Sequence, residues 1–314
     1  MHGISEHRLA AVQEACGKPI LAAWLGGPRA GVARLRELGI AGFADPARAV
    51  DAAAQLVALG LPLPPDPAGE TPRAAETRAT LVALRDAGRT QLTEREVKAL
   101  AAGYGIPVVP EILATTRDEA AAAARRFGGP MAVKAEAPAL LHKSDAGAVL
   151  LNVAPADAAD AFDAVVAAAA AAVGREGVRG AVIQPMARPG IEIIVGAVYD
   201  PQWGATITVG LGGVLSEVMA DTVTELAPID ASIARDMLAR LRGAKLLGPF
   251  RGSAARDVAV LAELLVRVGD FAADAGPLLA ELDLNPVILH AEGDGCTAVD
   301  GAAVLGRPED RNSA

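Results

Sequence analysis

Aromatic side chains are scarce in this sequence, 3% of 314 residues. That argues against a nucleic-acid surface built by stacking bases on rings and predicts that any purine pocket is walled by aliphatic groups. Basic residues are outnumbered: 29 Lys and Arg against 38 Asp and Glu leave a net charge of −9, which repels phosphate backbones and anionic lipid. Neither nucleic acid nor membrane is an expected partner, and basic groups that matter must act locally. There are only two cysteines, Cys16 and Cys296, without metal or redox spacing, so no structural disulfide is expected and a reducing, cytoplasmic setting fits. Long apolar runs are missing too. The longest, "AVVAAAAAAV" at 164–173, is far too short to span a bilayer, and the N-terminus lacks the basic-then-apolar order of a signal peptide.

The chain does have apolar content, 52% and mostly Ala and Val, in a length sufficient for two or three compact units. Its first sixty residues alternate short apolar runs with helical patterns, "KPILAAWLGG", "PRAGVARLRELG", "IAGFA" and "DPARAVDAAAQLVALG", which predict strand, helix, strand, helix. Two strands cannot cover both faces of a parallel sheet, so residues 1–60 are expected to dock on another chain or to be the tail of a longer domain, and an oligomer is expected. "LPLPPDPAGETPRA", 61–74, holds five prolines and is the expected linker.

Beyond it, residues 75–308 are expected to form one domain, with 309–314 as a tail. Thr93 with Glu96 and Thr116 with Glu119 predict capped helix starts. Strands are expected at "MAVKAEA", "AVLLNV", "AVIQPMA", "IEIIVGAVYD" and "ATITVGLGG", the last two as an antiparallel hairpin through "YDPQWG". Helices are expected at 155–173, near 230–243 and at 253–274, ahead of a final strand pair, "AELDLNPVILH" and "CTAVDGAAVL". Mixed antiparallel strands flanked by helices imply α/β layers of the α+β kind, not a single doubly wound sheet.

Several residues could carry chemistry. "LLHKSDAGAVLL", 140–151, breaks an apolar stretch with His142, Lys143, Ser144 and Asp145, in a chain with only four histidines. Lys134 sits inside "MAVKAEA", where it either faces solvent at a sheet edge or meets a phosphate as a compact point charge. "VGLGGVLSEV", 209–218, lets backbone N–H groups approach an anion or makes an ordinary tight turn, and no P-loop Lys-Ser or Lys-Thr follows it. Arg251, between glycines in "GPFRGS" just before a helix, suits phosphate. In "ELDLNP", strand alternation puts Glu281, Asp283 and Asn285 on one face and Leu282 and Leu284 in the core. Side-by-side carboxylates call for a cation or basic group. Asp300, expected in a strand alongside, would with Asn285 offer Mg²⁺ two oxygens, leaving waters and phosphates to complete its octahedron; a solvated sheet edge is the plainer alternative.

Taken in order, "EVKALAAGYGIPV", "MAVKAEAPALLHKSDAGAVLLNV", "VIQPMARPGIEIIVGAVYDPQWG", "GLGGVLSEV", "GPFRG" and "AELDLNPV" resemble the ATP-grasp part of NDP-forming acyl-CoA synthetases, of the ADP-forming acetate–CoA ligase type, over roughly residues 90–306. Residues 1–60 are similar to the end of that family's CoA-ligase domain, which implies a partial flavodoxin-like segment ahead of an ATP-grasp fold with two subdomains.

The resemblance implies that His142 carries phosphate on a swinging loop between an acyl-phosphate site and ATP or ADP. Lys134 would then bind the nucleotide phosphates, with adenine on the strand Gln184–Pro185–Met186 and Glu192 helping to hold the nucleotide. Arg251 would meet the transferring phosphate, Asn285 and Asp300 would hold Mg²⁺, and Asp283 would steady a partner's phosphohistidine. Glu217 takes a family position without an assigned role, and Ala148 replaces a usual glycine. The implied partner is a subunit, or N-terminal domains, carrying the CoA site. Relatives fused to protein lysine acetyltransferases keep a second reading open, a noncatalytic ligand-sensing or scaffold module.

Overall fold

A computed structural model of the chain describes residues 6–16, 19–23, 29–59, 71–140, 143–213, 221–250, 252 and 254–306. The chain divides into two compact units, residues 1–68 and 69–314. In the first, α1 (Glu6–Cys16) precedes β1 (Leu21–Ala23), α2 (Arg29–Glu37), β2 (Ala41–Phe43) and α3 (Pro46–Leu59). β1 and β2 pair in parallel, Leu21 opposite Ala41. Leu35, Ile40 and Ala49 form the buried side, while α3 leaves Val50 and Val57 about two-thirds exposed, at 67% and 68%.

In the second unit, α4 (Pro72–Asp86) begins inside the segment expected to be linker. The Thr71 hydroxyl accepts from the Ala74 N–H and Pro72 occupies the first turn, where its missing N–H removes no helical bond. β3 (Gln91–Leu92) leads into α5 (Glu94–Gly103), whose start carries the full capping box: the Thr93 N–H donates to Glu96 Oε2 at 2.7 Å. After β4 (Ile112–Ala114), Thr116 caps α6 (Arg117–Phe127), but Glu119 reaches back one residue further, to the Thr115 N–H and hydroxyl.

β5 (Met131–Glu136), β6 (Val149–Val153) and β7 (Gly180–Pro185) join β4 in a four-stranded antiparallel sheet ordered β4-β7-β5-β6. α6 and α7 (Ala158–Val173) pack on it, burying Phe162 and Val165 with Met131, Val133 and Ile183. Small alanines on the inner face of α7 let the helix lie close to the strands.

The larger sheet has seven strands. β8 (Ile191–Asp200) and β9 (Gly204–Leu211) form the expected hairpin, and β10 (Thr222–Leu226) flanks it. α8 (Ala231–Arg240) and α9 (Val258–Ala275) then lead to β11 (Leu279–Leu289), β12 (Cys296–Ala298) and β13 (Ala302–Leu305), giving the order β10-β9-β8-β11-β13-β3, with β12 also on β11. α9 lies along β8 and β9 with α4 and α8 beside it, and Phe271, Leu264 and Leu265 at its centre are fully buried.

One expectation fails here. The final strand, read as continuous through Asp300, is two strands, β12 (Cys296–Ala298) and β13 (Ala302–Leu305), with Asp300 in the break. Pro286 in β11 has no N–H to offer a ladder, and β11 shifts register against β8 between Leu284 and Val287. Gly301 also passes so close to α5 that a Cβ there would lie 2.7 Å from Val97 Cγ1. Asp300 is thereby released from strand alternation and can turn toward β5.

Candidate functional site

A cleft of about 1050 Å³ is lined by residues of both sheets. At its buried end stands Glu94, first residue of α5 and 4% exposed. Its Oε1 accepts from Lys98 Nζ at 2.8 Å and Lys134 Nζ at 2.7 Å, and its Oε2 accepts from Lys143 Nζ at 3.2 Å. Lys134 also donates to Asp300 Oδ2 at 2.9 Å, and Lys98 donates to Gln184 Oε1 at 3.1 Å and pairs with Glu111. Three ammonium groups thus face three carboxylates, joining the smaller sheet to α5 and to the break before β13.

Local structure makes this possible. Glu94 and Lys98 are one helical turn apart and share the inner face of α5. Lys134 sits on β5, an internal strand between β7 and β6, so the sheet-edge alternative is excluded.

Burial alone would push the Glu94 carboxyl up, but Lys134, then Lys98 and Lys143, outweigh it and bring the pKa down to about 2. Burial works against the Lys134 charge too, yet Glu94 and Asp300 raise its pKa above the ordinary lysine value. Asp300 goes the other way. Burial and the Glu94 charge push it up further than Lys134 pulls it down, so Glu94 is the firmer anion of the two.

This has a consequence in acid. A carboxyl whose folded pKa is depressed stabilises the fold above its unfolded pKa and ceases to as pH falls through the folded value. The Glu94 contribution should be complete above pH 4.5 and vanish toward pH about 2. Urea midpoints of the unmodified protein and Glu94→Gln should converge over that window; a constant gap would show that Glu94 does not titrate there.

The other expected site residues fall as follows. Gln184, Pro185 and Met186 all line the cleft, Gln184 at 1% exposure and with its side-chain oxygen taken by Lys98. Glu192 lines the cleft at the start of β8. Its backbone oxygen accepts from Gly212 N–H at 2.7 Å, and a Cβ on Gly213 would come within 2.7 Å of Glu192 Oε2. That close approach accounts for two glycines of the run. Glu281, Asp283 and Asn285 share the cleft face of β11 while Leu282 and Leu284 are buried. Ser144 and Asp145 line the cleft in the turn closed by Ala148 N–H on Lys143 O, and the Ala148 methyl is fully buried. His142, Arg251 and Glu217 lie outside the described residues.

The β11 wall suits a hard divalent cation. Burial, with the charges of Glu281 and Asp300, pushes Asp283 up even though the Asn285 amide beside it acts in the opposite direction, so the wall holds surplus negative charge. Asn285 and Asp300 supply the oxygen donors Mg²⁺ prefers. No group of three His, Cys, Asp or Glu side chains with metal-holding geometry occurs among the described residues, so a cation here would draw further ligands from phosphate or water.

Sequence reasoning missed Glu94, Lys98 and Glu136. "TEREVKAL" shows a Glu–Lys pair four apart, which reads as an ordinary surface helix pair. Glu136 is 2% exposed with Oε2 unpartnered on the cleft, and burial pushes its pKa up. Only its place in an apolar strand could have flagged it.

Residues 83–305 match the family model described as ATP-grasp domain. A trans-feruloyl-CoA synthase of an unknown prokaryotic organism is 37% identical over 281 residues, 89% of this chain but 38% of the relative's length. The beta subunit of acetate–CoA ligase [ADP-forming] II from Pyrococcus furiosus is 35% identical over 219 residues, 69% of this chain and 93% of that subunit. A solved structure of Ca. Korarchaeum cryptofilum dinucleotide forming acetyl-coenzyme A synthetase 1 superposes with a TM-score of 0.63 at 32% identity, covering 73% of this chain and 99% of that one. It holds coenzyme A and Mg-AMPPCP, with its phosphohistidine segment pointing towards the nucleotide binding site.

Proposed function

The chain belongs to the ATP-grasp family that includes the ADP-forming acetate–CoA ligase beta subunits, and from that premise we propose that its cleft binds Mg-ATP or Mg-ADP and exchanges a phosphoryl group between the nucleotide and His142. The observation that carries this is the meeting, in one cleft, of two lysines, Lys134 and Lys143, with the oxygen-rich wall of Asp283, Asn285 and Asp300. Lys134 and Lys143 meet the phosphates, Pro185 and Met186 border the adenine, Glu192 helps hold the nucleotide and Arg251 meets the transferring phosphate. Asn285 and Asp300 hold Mg²⁺, which when bound neutralises charge on the phosphate oxygens. The chain's own contribution is positioning and electrostatic stabilisation. His142 supplies the imidazole nitrogen that accepts the group, and Asp283 steadies a partner's phosphohistidine.

The overall reaction is acid, CoA and ATP in reversible exchange with acyl-CoA, ADP and phosphate, in concert with a subunit or domains carrying the CoA site. Residues 75–308 form the nucleotide-binding part, and residues 1–60 the C-terminal part of a CoA-ligase-like domain that docks on that partner. The exposed Val50 and Val57 of α3 support the docking.

Calorimetry with Mg-ADP and Mg-ATP, alongside a thioester assay, tests the reading. Nucleotide binding without acyl-CoA formation by the isolated chain is expected. No binding at about 1 mM nucleotide would sink it, and acyl-CoA made by this chain alone would overturn the division of labour.

A further inference from the structure

We propose that Glu94 is a positioning residue for the phosphate end of the cleft: one buried carboxylate fixes where Lys134 and Lys143 present their remaining N–H donors. The inference rests on the nucleotide reading of the cleft.

The geometry carries it. Lys134 and Lys143 come from different segments, β5 and the turn after it, and among the described residues Glu94 accepts a hydrogen bond from both, through separate oxygens at 2.7 Å and 3.2 Å. Glu94 stands behind them: its side chain is 2% exposed, against 6% for Lys134 and 18% for Lys143. Each ammonium has three donors. Among the described residues Lys134 uses two, on Glu94 and Asp300, and Lys143 uses one, on Glu94. The donors left over belong to groups that line the cleft, held by an acceptor more buried than either of them.

Glu94 is held in turn. Its backbone begins α5, fixed by the capping box of Thr93 and Glu96, and Lys98 braces Oε1 from one turn along. A glutamine in its place would keep the volume but offer one acceptor oxygen and an NH₂ that faces an ammonium group. It could no longer hold two lysines through two oxygens, and three like charges would be left to move apart.

The readout is the preference for ADP over AMP, because the added phosphate is what the two lysines meet, while the adenosine end borders Pro185 and Met186, and Glu94 reaches β7 only indirectly, through Lys98 on Gln184. A purely structural role would alter stability and both affinities together. Mg-ADP and AMP should be titrated calorimetrically into the unmodified chain, Glu94→Gln, and Glu94→Gln combined with Lys98→Met; the double variant restores the charge balance of the buried cluster without restoring a two-oxygen acceptor. The expected result is a fall of about tenfold or more in the ADP-over-AMP preference in both variants, with AMP affinity within about threefold of the unmodified chain. Should Glu94→Gln fail to fold, the double variant carries the measurement, and Glu94→Asp, which keeps both oxygens on a shorter stem, should recover part of the preference.

A preserved preference in either folded variant would overturn the inference and leave the nucleotide reading standing. Recovery of the preference in the double variant would likewise overturn it, showing that Glu94 only neutralises charge. Failure of the unmodified chain to bind either nucleotide would overturn the nucleotide reading itself, and the inference with it.

Discussion

Lys134→Met is expected to lower stability by about 3 kcal/mol and to weaken Mg-ADP binding by about tenfold to a hundredfold. Methionine keeps the volume of the aliphatic stem but removes the cation on which Glu94 and Asp300 converge at 2.7 Å and 2.9 Å. Glu94 retains Lys98 and Lys143, which limits the loss, while Asp300 loses the ammonium it pairs with and moves toward protonation. Nucleotide loses a charge-assisted contact at its phosphates. Urea melts give the first effect and calorimetry below the melting range the second. Unchanged stability would show that the buried cluster is not energetically coupled. Unchanged affinity of the folded variant would show that Lys134 serves the fold alone.

His142→Ala should abolish phosphate transfer to the chain while leaving nucleotide affinity nearly unchanged, because the imidazole acts on the transferred group and not on the adenosine end. With γ-labelled ATP and Mg²⁺, the unmodified chain should acquire label that is lost in acid and kept in base, as phosphohistidine behaves and phosphoserine does not. Ser144, two residues on, is therefore a control within the same loop. ADP should be removed enzymatically so that the equilibrium does not run back to ATP. Persistent absence of label alongside confirmed Mg-ATP binding would favour the noncatalytic scaffold reading.

Most of the second unit was legible in the sequence. The capping box at Thr93, the hairpin through Asp200 and Gly204, and the alternation that puts Asp283 and Asn285 on one face all follow from contacts within a few residues, where backbone periodicity leaves little choice. The order of the motifs pointed to the family. The break at Asp300 was not legible, because it depends on Pro286 in a neighbouring strand and on Val97 in a helix far along the chain. Proline-rich composition likewise hid the start of α4, whose Thr71 cap and first-turn proline are helix signals as much as linker signals.

The sequence by itself determined most of the longer elements, their order and which apolar side chains face inward, since periods of 2 and 3.6 residues and cap chemistry are local properties. Tertiary structure alone decided who meets whom. Glu94 and Lys134 are 40 residues apart and Lys134 and Asp300 are 166 apart, and no pattern in the chain links them. Their pairing comes from the way α5 and the break before β13 close on the smaller sheet, where burial makes an uncompensated charge costly and leaves each lysine to find the carboxylate that packing brings within reach.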